Sequence, residues 1–212
     1  MACPRRHPEL SSQAIDWACR QLARRAGVPA THSSGFGSET APTPIHYCHP
    51  EQLQSAQPAV FVLPCTDDAW SALLNRSENT LDWLSQNRSL PARGALPFSD
   101  PIPVLFWGRG CSHRTHPFAE LRRDGNVVFH ADIVAATLFS LSRWEESIVA
   151  DRDEHGRFPA AASVAYRQGF LDRPIVDEYA LILREWLKAL LPRWEPKERS
   201  FSVQLSHDVD HV

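Results

Sequence analysis

A chain of 212 residues, 43% of them hydrophobic, is long enough to bury the core of one large domain, or of one domain with an appendage. With 22 Lys and Arg against 25 Asp and Glu, the formal net charge of -3 supplies no basic field to hold a phosphate backbone, and no nucleic-acid partner is expected. No apolar run reaches the roughly 18–20 residues of a membrane span, and where a signal core would follow the charged N-terminus the chain is amphipathic, with Asp16, Arg20, Arg24 and Arg25. The five cysteines, Cys3, Cys19, Cys48, Cys65 and Cys111, are odd in number and scattered without a Cys-x-x-Cys pair, which predicts reduced thiols and a cytoplasmic protein.

Taken in order, Ile15, Ala18, Cys19 and Leu22 fall at helical spacing, and Gly27 with Pro29 supplies a stop, so a first amphipathic helix is predicted over Ser12 to Ala26. A Ser-, Thr-, Gly- and Pro-rich loop follows to Pro44, and its Gly35-Phe36-Gly37 is too short for a dinucleotide fingerprint. Ile45 to His49 and Ala59 to Leu63 read as short strands. Trp70 to Trp83 reads as one or two short helices interrupted near Ser77-Glu78-Asn79. A proline-studded connector from Pro91 to Pro103 leads to a buried strand, Val104 to Trp107, closed by Gly108-Arg109-Gly110.

Gly125-Asn126 predicts a turn, Val127 to His130 a strand, and Asp132 the N-cap of a helix from Ile133 to about Ile148. Arg173-Pro174 opens a second long helix with Asp177 and Glu178 in its first turn and Val176, Tyr179, Leu183, Trp186, Leu187 and Leu190 on one face. Strands alternating with helices predict an α/β fold: a short, mostly parallel sheet flanked by amphipathic helices.

Several polar constellations invite chemistry. Asp151 to Gly156 has carboxylates at the first and third positions of a calcium loop, but His155 at the fifth and Ala162 at the twelfth break the pattern, so a solvated loop ordered by Arg157 and Arg173 is expected. His46 with His49, and His113 with His116, are spaced by three, which fixes no common face in a strand or a proline-flanked loop. Cys111 near His113 lacks an orienting third group and reads as an ordinary thiol. Glu145, on the apolar stripe, is either solvated or buried against an arginine, with burial favoured.

The strongest signal closes the chain. Phe201, Val203 and Leu205 alternate with Ser202, Gln204 and Ser206, so a strand is expected to enter a core, and continued alternation sets Asp208 and Asp210 together about 6–7 Å apart. Such a pair is either a polar strand end or half of a metal site that needs further ligands.

Ser206-His207-Asp208-Val209-Asp210-His211 resembles the opening motif of polysaccharide-deacetylase-like (NodB-type) domains in the variant that separates the two aspartates. Upstream, three stretches resemble DUF7033, an uncharacterised domain that precedes such catalytic domains in some bacterial proteins: Phe129 to Glu146, Asp153 to Pro159 and Gly169 to Tyr179. The resemblance implies that Asp208 corresponds to the catalytic base and Asp210 to a metal ligand of an N-acetyl hydrolase. It also implies a carbohydrate substrate and a divalent metal, zinc, in a full-length parent, with no cofactor held by this chain.

The family's His-x-x-x-His metal pair and its general acid belong downstream of that motif. The expectation is therefore an accessory α/β domain over residues 12–196, then, over 200–212, the first strand of a deacetylase-like barrel whose remainder is the missing partner, the whole catalytically incomplete. Two rivals stand beside it: a self-sufficient binding or assembly module, and a small metal hydrolase using Asp208 and Asp210 with His113 and His116.

Overall fold

A computed structural model describes residues 11–28, 45–48, 52, 58–91, 96–197 and 203–206. The predicted first helix, α1, runs Ser12–Ala26. The Ser11 hydroxyl caps it by accepting from Ala14 N–H, and Gly27 closes it at φ 92°, a left-handed conformation that suits glycine. Its stripe of Ala18, Leu22 and Ala26 is fully buried. The strands β1 (Ile45–Tyr47), β2 (Val60–Val62) and β6 (Val127–Phe129) are mutually parallel, and β5 (Ala119–Leu121) pairs antiparallel with β6, giving the order β1-β2-β6-β5. The fold is thus the mostly parallel α/β arrangement expected. A two-stranded antiparallel ribbon, β3 (Asp82–Leu84) with β4 (Ile102–Val104), forms a second sheet whose Leu84, Ile102 and Val104 join the main core.

Alternation along β2 and β6 divides the sheet into two faces. Val60, Val62, Val127 and Phe129 join the main core with α1, α3 (Ile133–Leu141) and α6 (Ile175–Leu190), which pack on one another. Ala59, Phe61, Leu63 and Val128 form a second, small cluster on the other face, with Cys48 and Cys111 against it. The helix α3 is buried through Ile133–Phe139, so its apolar run has no polar side for water. The face of α6 predicted to be apolar is buried at Val176, Tyr179, Leu183, Trp186 and Leu187. Two polar tips fix it: Tyr179 donates to Pro103 O at 2.6 Å and Trp186 Nε1 donates to Ser89 O at 2.8 Å.

The strand expected over Val104 to Trp107 is displaced to Ile102–Val104, and three other expected elements differ in kind. The single helix from Ile133 to Ile148 is broken: Arg143 adopts φ 55°, and a separate short helix, α4 (Trp144–Ile148), follows. The apolar stripe continues across the break, which hides it, and the turn lets Trp144 meet Trp70 edge-on at 4.9 Å. Glu145 is half-buried there but accepts from Val164 N–H, at the start of α5 (Val164–Arg167), at 2.9 Å instead of pairing directly with an arginine.

Leu81 to Trp83 is not helical. The Gln168 side-chain oxygen accepts from both Thr80 and Leu81 N–H, holding that backbone away from helical bonding as it enters β3 beyond α2 (Asp68–Leu74). The third difference is at the chain end, where Val203 to Ser206 do not form the expected strand. Val203 and Leu205 are 65% and 89% exposed, because their backbone has no neighbouring strand to pair with among the described residues.

The Asp153 loop is solvated, as expected. Asp153 Oδ1 accepts from His155 and Arg157 N–H, and Arg157 Nε reaches Oδ2 at 2.9 Å. Arg173, expected to pair here, instead serves Glu178. Backbone N–H donors hold the Asp153 carboxyl below its ordinary value of 3.8, whereas burial pushes Glu145 above 4.5. The lowered Asp153 therefore contributes stability above its unfolded pKa that is lost as pH falls through its folded value. Glu145 has the opposite sign, its contribution shrinking as pH rises from its unfolded value through its raised folded one. Carboxyl-detected NMR titration is expected to find the two midpoints displaced in these opposite directions.

Candidate functional site

The carboxyl ends of the paired parallel strands β2 and β6 lie side by side, and parallel sheets commonly bind ligands in a crevice just beyond such ends. Here Gly108 N–H bonds His130 O and Arg109 N–H bonds Pro64 O, both at 2.8 Å, so the turn after Trp107 is fastened to both strand ends. Close approach requires glycine: a Cβ at position 108 would lie 2.5 Å from Leu63 Cβ and 2.8 Å from Leu63 O. The fastened turn delivers Cys111 over the small apolar cluster. Downstream, Ser112 to His116 form a further turn, and Arg88 donates to His113 O and His116 O at 2.9 and 3.0 Å.

The other side of the crevice comes from the β5–β6 hairpin. Glu120 lies opposite Val128 in register, and His130, two residues beyond Val128, falls on the same face. The side chains consequently meet. Cys111 Sγ lies 3.5 Å from His130 Nδ1, and Glu120 Oε1 lies 3.2 Å from His130 Nε2. His130 is only 6% exposed, and its Nε2 has no aligned hydrogen-bond acceptor; the Glu120 oxygen is close enough for an ion pair but off the N–H direction.

The ring of His116 sits 4.6 Å from that of His130, and its Nδ1 is 2.8 Å from Thr115 Oγ1. One ligand-capable atom from each of Cys111, His116 and His130 lies within 4.8 Å of the others. The cavity at this point, about 280 Å³, is lined by these three with Leu63, Glu120 and Val128, and also by Arg109 and Arg122.

Burial raises the Cys111 thiol, and the Glu120 charge raises it further. Burial lowers His130 despite its contact with Glu120. Both shifts favour the neutral thiol and the neutral imidazole, away from the thiolate–imidazolium state of a cysteine nucleophile. A second buried polar centre lies at the neighbouring strand ends: Asp132 accepts from Tyr47 Oη, Cys65 N–H and Ala135 N–H at 2.8, 2.7 and 2.8 Å, tying β1, the segment after β2 and the start of α3 together.

Of the residues singled out in the sequence, Asp208 and Asp210 lie outside the described residues, as does His49. His46 stacks on Phe61 at 4.9 Å. The His113 and His116 pair is divided, since His113 Nδ1 meets Asp82 Oδ1 at 2.9 Å while His116 joins Cys111. Cys111 has a third group after all, although its imidazole is His130 and not His113. Sequence reasoning missed His130 and Glu120. The available signal was the Asp124-Gly125 turn, which sets Glu120 across from Val128 and thereby beside a histidine two residues on.

Replacing Gly108 with Ala is expected to destabilise the protein by about 2 kcal/mol through overpacking and to separate Cys111 from His130. Thermal denaturation, together with the rate of Cys111 alkylation, measures both effects.

No helix of the described residues is long and apolar enough to cross a membrane. No curated protein and no solved structure matches the chain. A protein-family model, described as a family of unknown function, DUF7033, matches residues 68–192. The match runs from α2 to the end of α6 and takes in Cys111, His116, Glu120 and His130, so more than half of the chain and most of the crevice are what this family describes. The chain belongs to DUF7033.

Proposed function

We propose that this DUF7033 chain is a non-catalytic accessory domain that works beside a polysaccharide-deacetylase-like metal hydrolase unit acting on an N-acetylated carbohydrate. The observation that carries this reading is the stretch Val203 to Ser206, which leads into the deacetylase-like motif. Its alternating apolar side chains, Val203 and Leu205, stand exposed and take no part in the main core. Two apolar side chains at strand spacing with no covering layer among the described residues suit a second sheet that supplies both backbone partners and a core.

The non-catalytic part of the proposal has its own support. In the crevice Cys111 Sγ lies 3.5 Å from His130 Nδ1 and burial shifts both groups towards their neutral forms, which suits binding better than nucleophilic attack. Hydrolysis of an acetamide through Asp208 and Asp210 would need further metal ligands, and His113, a candidate for that role, is engaged by Asp82. The test is acetate release from an N-acetylated oligosaccharide with zinc present. The chain alone is expected to match the buffer rate, and turnover at an enzyme-like rate that vanishes in Asp208→Asn would overturn the reading.

A further inference from the structure

We propose that Cys111 Sγ, His116 Nε2 and His130 Nδ1 form a site for a divalent metal of the zinc class, with a fourth position left to water or an anionic group in the cavity. This inference stands apart from the accessory reading, because it concerns only the crevice at the ends of β2 and β6.

The argument begins with distances. Zinc binds sulfur at about 2.3 Å and imidazole nitrogen at about 2.0–2.1 Å, so a tetrahedral site sets its sulfur and nitrogen roughly 3.5 Å apart. Cys111 Sγ and His130 Nδ1 are 3.5 Å apart. The widest separation in the cluster, within 4.8 Å, closes with a shift of about 1 Å in the half-exposed His116 ring, a movement a turn at the surface allows.

Each imidazole also has a partner for the nitrogen that would not bind metal. Thr115 Oγ1 stands at His116 Nδ1, and Glu120 stands at His130 Nε2. Metal-bound histidines are ordinarily oriented in this way, by an oxygen acceptor on the far nitrogen. The buried, unaligned His130 Nε2 fits the same scheme: with Nδ1 on a metal the proton must reside on Nε2, and a small rotation of the exposed Glu120 side chain supplies its acceptor.

Chemically, binding is an exchange without redox. The Cys111 S–H bond breaks, its proton passes to solvent, and a sulfur–metal bond forms. A thiolate with two imidazoles favours zinc or cobalt over magnesium or calcium, which prefer oxygen. Arg109 and Arg122 also line the cavity, Arg122 being 3.3 Å from Asp124, and their positive charge favours an anionic occupant of the fourth position.

The test is a Co²⁺ titration of the chelator-treated 212-residue chain, followed by absorption. One equivalent is expected to give a thiolate-to-cobalt charge-transfer band and intense tetrahedral d–d bands, and Zn²⁺ should displace both. Cys111→Ser should abolish the charge-transfer band, Glu120→Gln should weaken binding about 10–100-fold, and His113→Ala should leave it unchanged. Absence of the band, or its persistence in Cys111→Ser, would overturn the proposal. Should Cys111→Ser fail to fold, His116→Ala on the surface turn decides: at least a tenfold loss is expected, and unchanged affinity contradicts the site. Acetate release does not enter the readout, so failure here leaves the accessory reading standing, and the reverse also holds.

Discussion

Arg173→Ala is expected to lower stability by about 3–5 kcal/mol, the range for breaking a buried ion pair from one side. The Arg173 and Glu178 side chains are only 11% and 3% exposed, and the guanidinium holds the carboxylate through Nε at 3.0 Å and Nη2 at 2.7 Å. The same guanidinium donates to Pro101 O and Ser99 O and lies over the Trp83 ring, 5.5 Å from its centroid. One side chain therefore joins the start of α6 to the connector before β4 and to β3. Truncation strands a buried carboxylate and frees two carbonyls at once. In a chain of this size the midpoint of thermal denaturation should fall on the order of 10 °C. Arg173→Lys should recover only part of it, because an ammonium cannot span the same fork of acceptors. The double variant Arg173→Ala with Glu178→Gln should be more stable than Arg173→Ala alone, since the stranded charge is gone; equal stability would show that the pair is not the source of the loss.

The second large effect is expected at Asp132. Its carboxylate is 1% exposed and accepts from two backbone N–H groups and a tyrosine hydroxyl. Asp132→Ala leaves Cys65 and Ala135 N–H buried without an acceptor, at about 1–3 kcal/mol each. The combined cost is about 3–4 kcal/mol, part of it the lost cap of α3. Burial pushes the Asp132 carboxyl up while the three donors draw it back. Asp132→Asn, which keeps acceptor oxygen but brings N–H groups of its own, should lose roughly half as much. Tyr47→Phe removes only one hydrogen bond to the carboxylate, leaves both backbone donors satisfied, and should cost about 1.5 kcal/mol. That ordering, measured by denaturant unfolding, separates a cap and strand-end tie from simple loss of packing.

What the sequence made legible were the elements with strong local signals. The cap at Asp132, the stop at Gly27 and the apolar face of α6 each rest on residues within one or two turns of the element they define. The break at Arg143 was hidden because the apolar stripe on both sides continues, and only contact with Trp70 and Val164 N–H reveals why the chain turns there. Likewise β3 depends on Gln168, more than eighty residues downstream, whose side chain replaces helical acceptors for Thr80 and Leu81.

The crevice was less legible still. Cys111 and His116 are visible as candidates in the sequence, but the imidazole near each in sequence is His113, whereas the one beside both in space is His130. His130 reads locally as the end of a strand. Only the hairpin register that sets Glu120 across from Val128, and the Gly108 contact that fastens the Cys111 turn to two strand ends, brings the four together.

The accessory role is tested most directly by binding. Calorimetric titration of this chain with a polysaccharide-deacetylase-like unit bearing the downstream His-x-x-x-His segment is predicted to show saturable association, weakened at least tenfold by Val203→Asp with Leu205→Asp. No heat of association, or association that the double variant leaves unchanged, would contradict it.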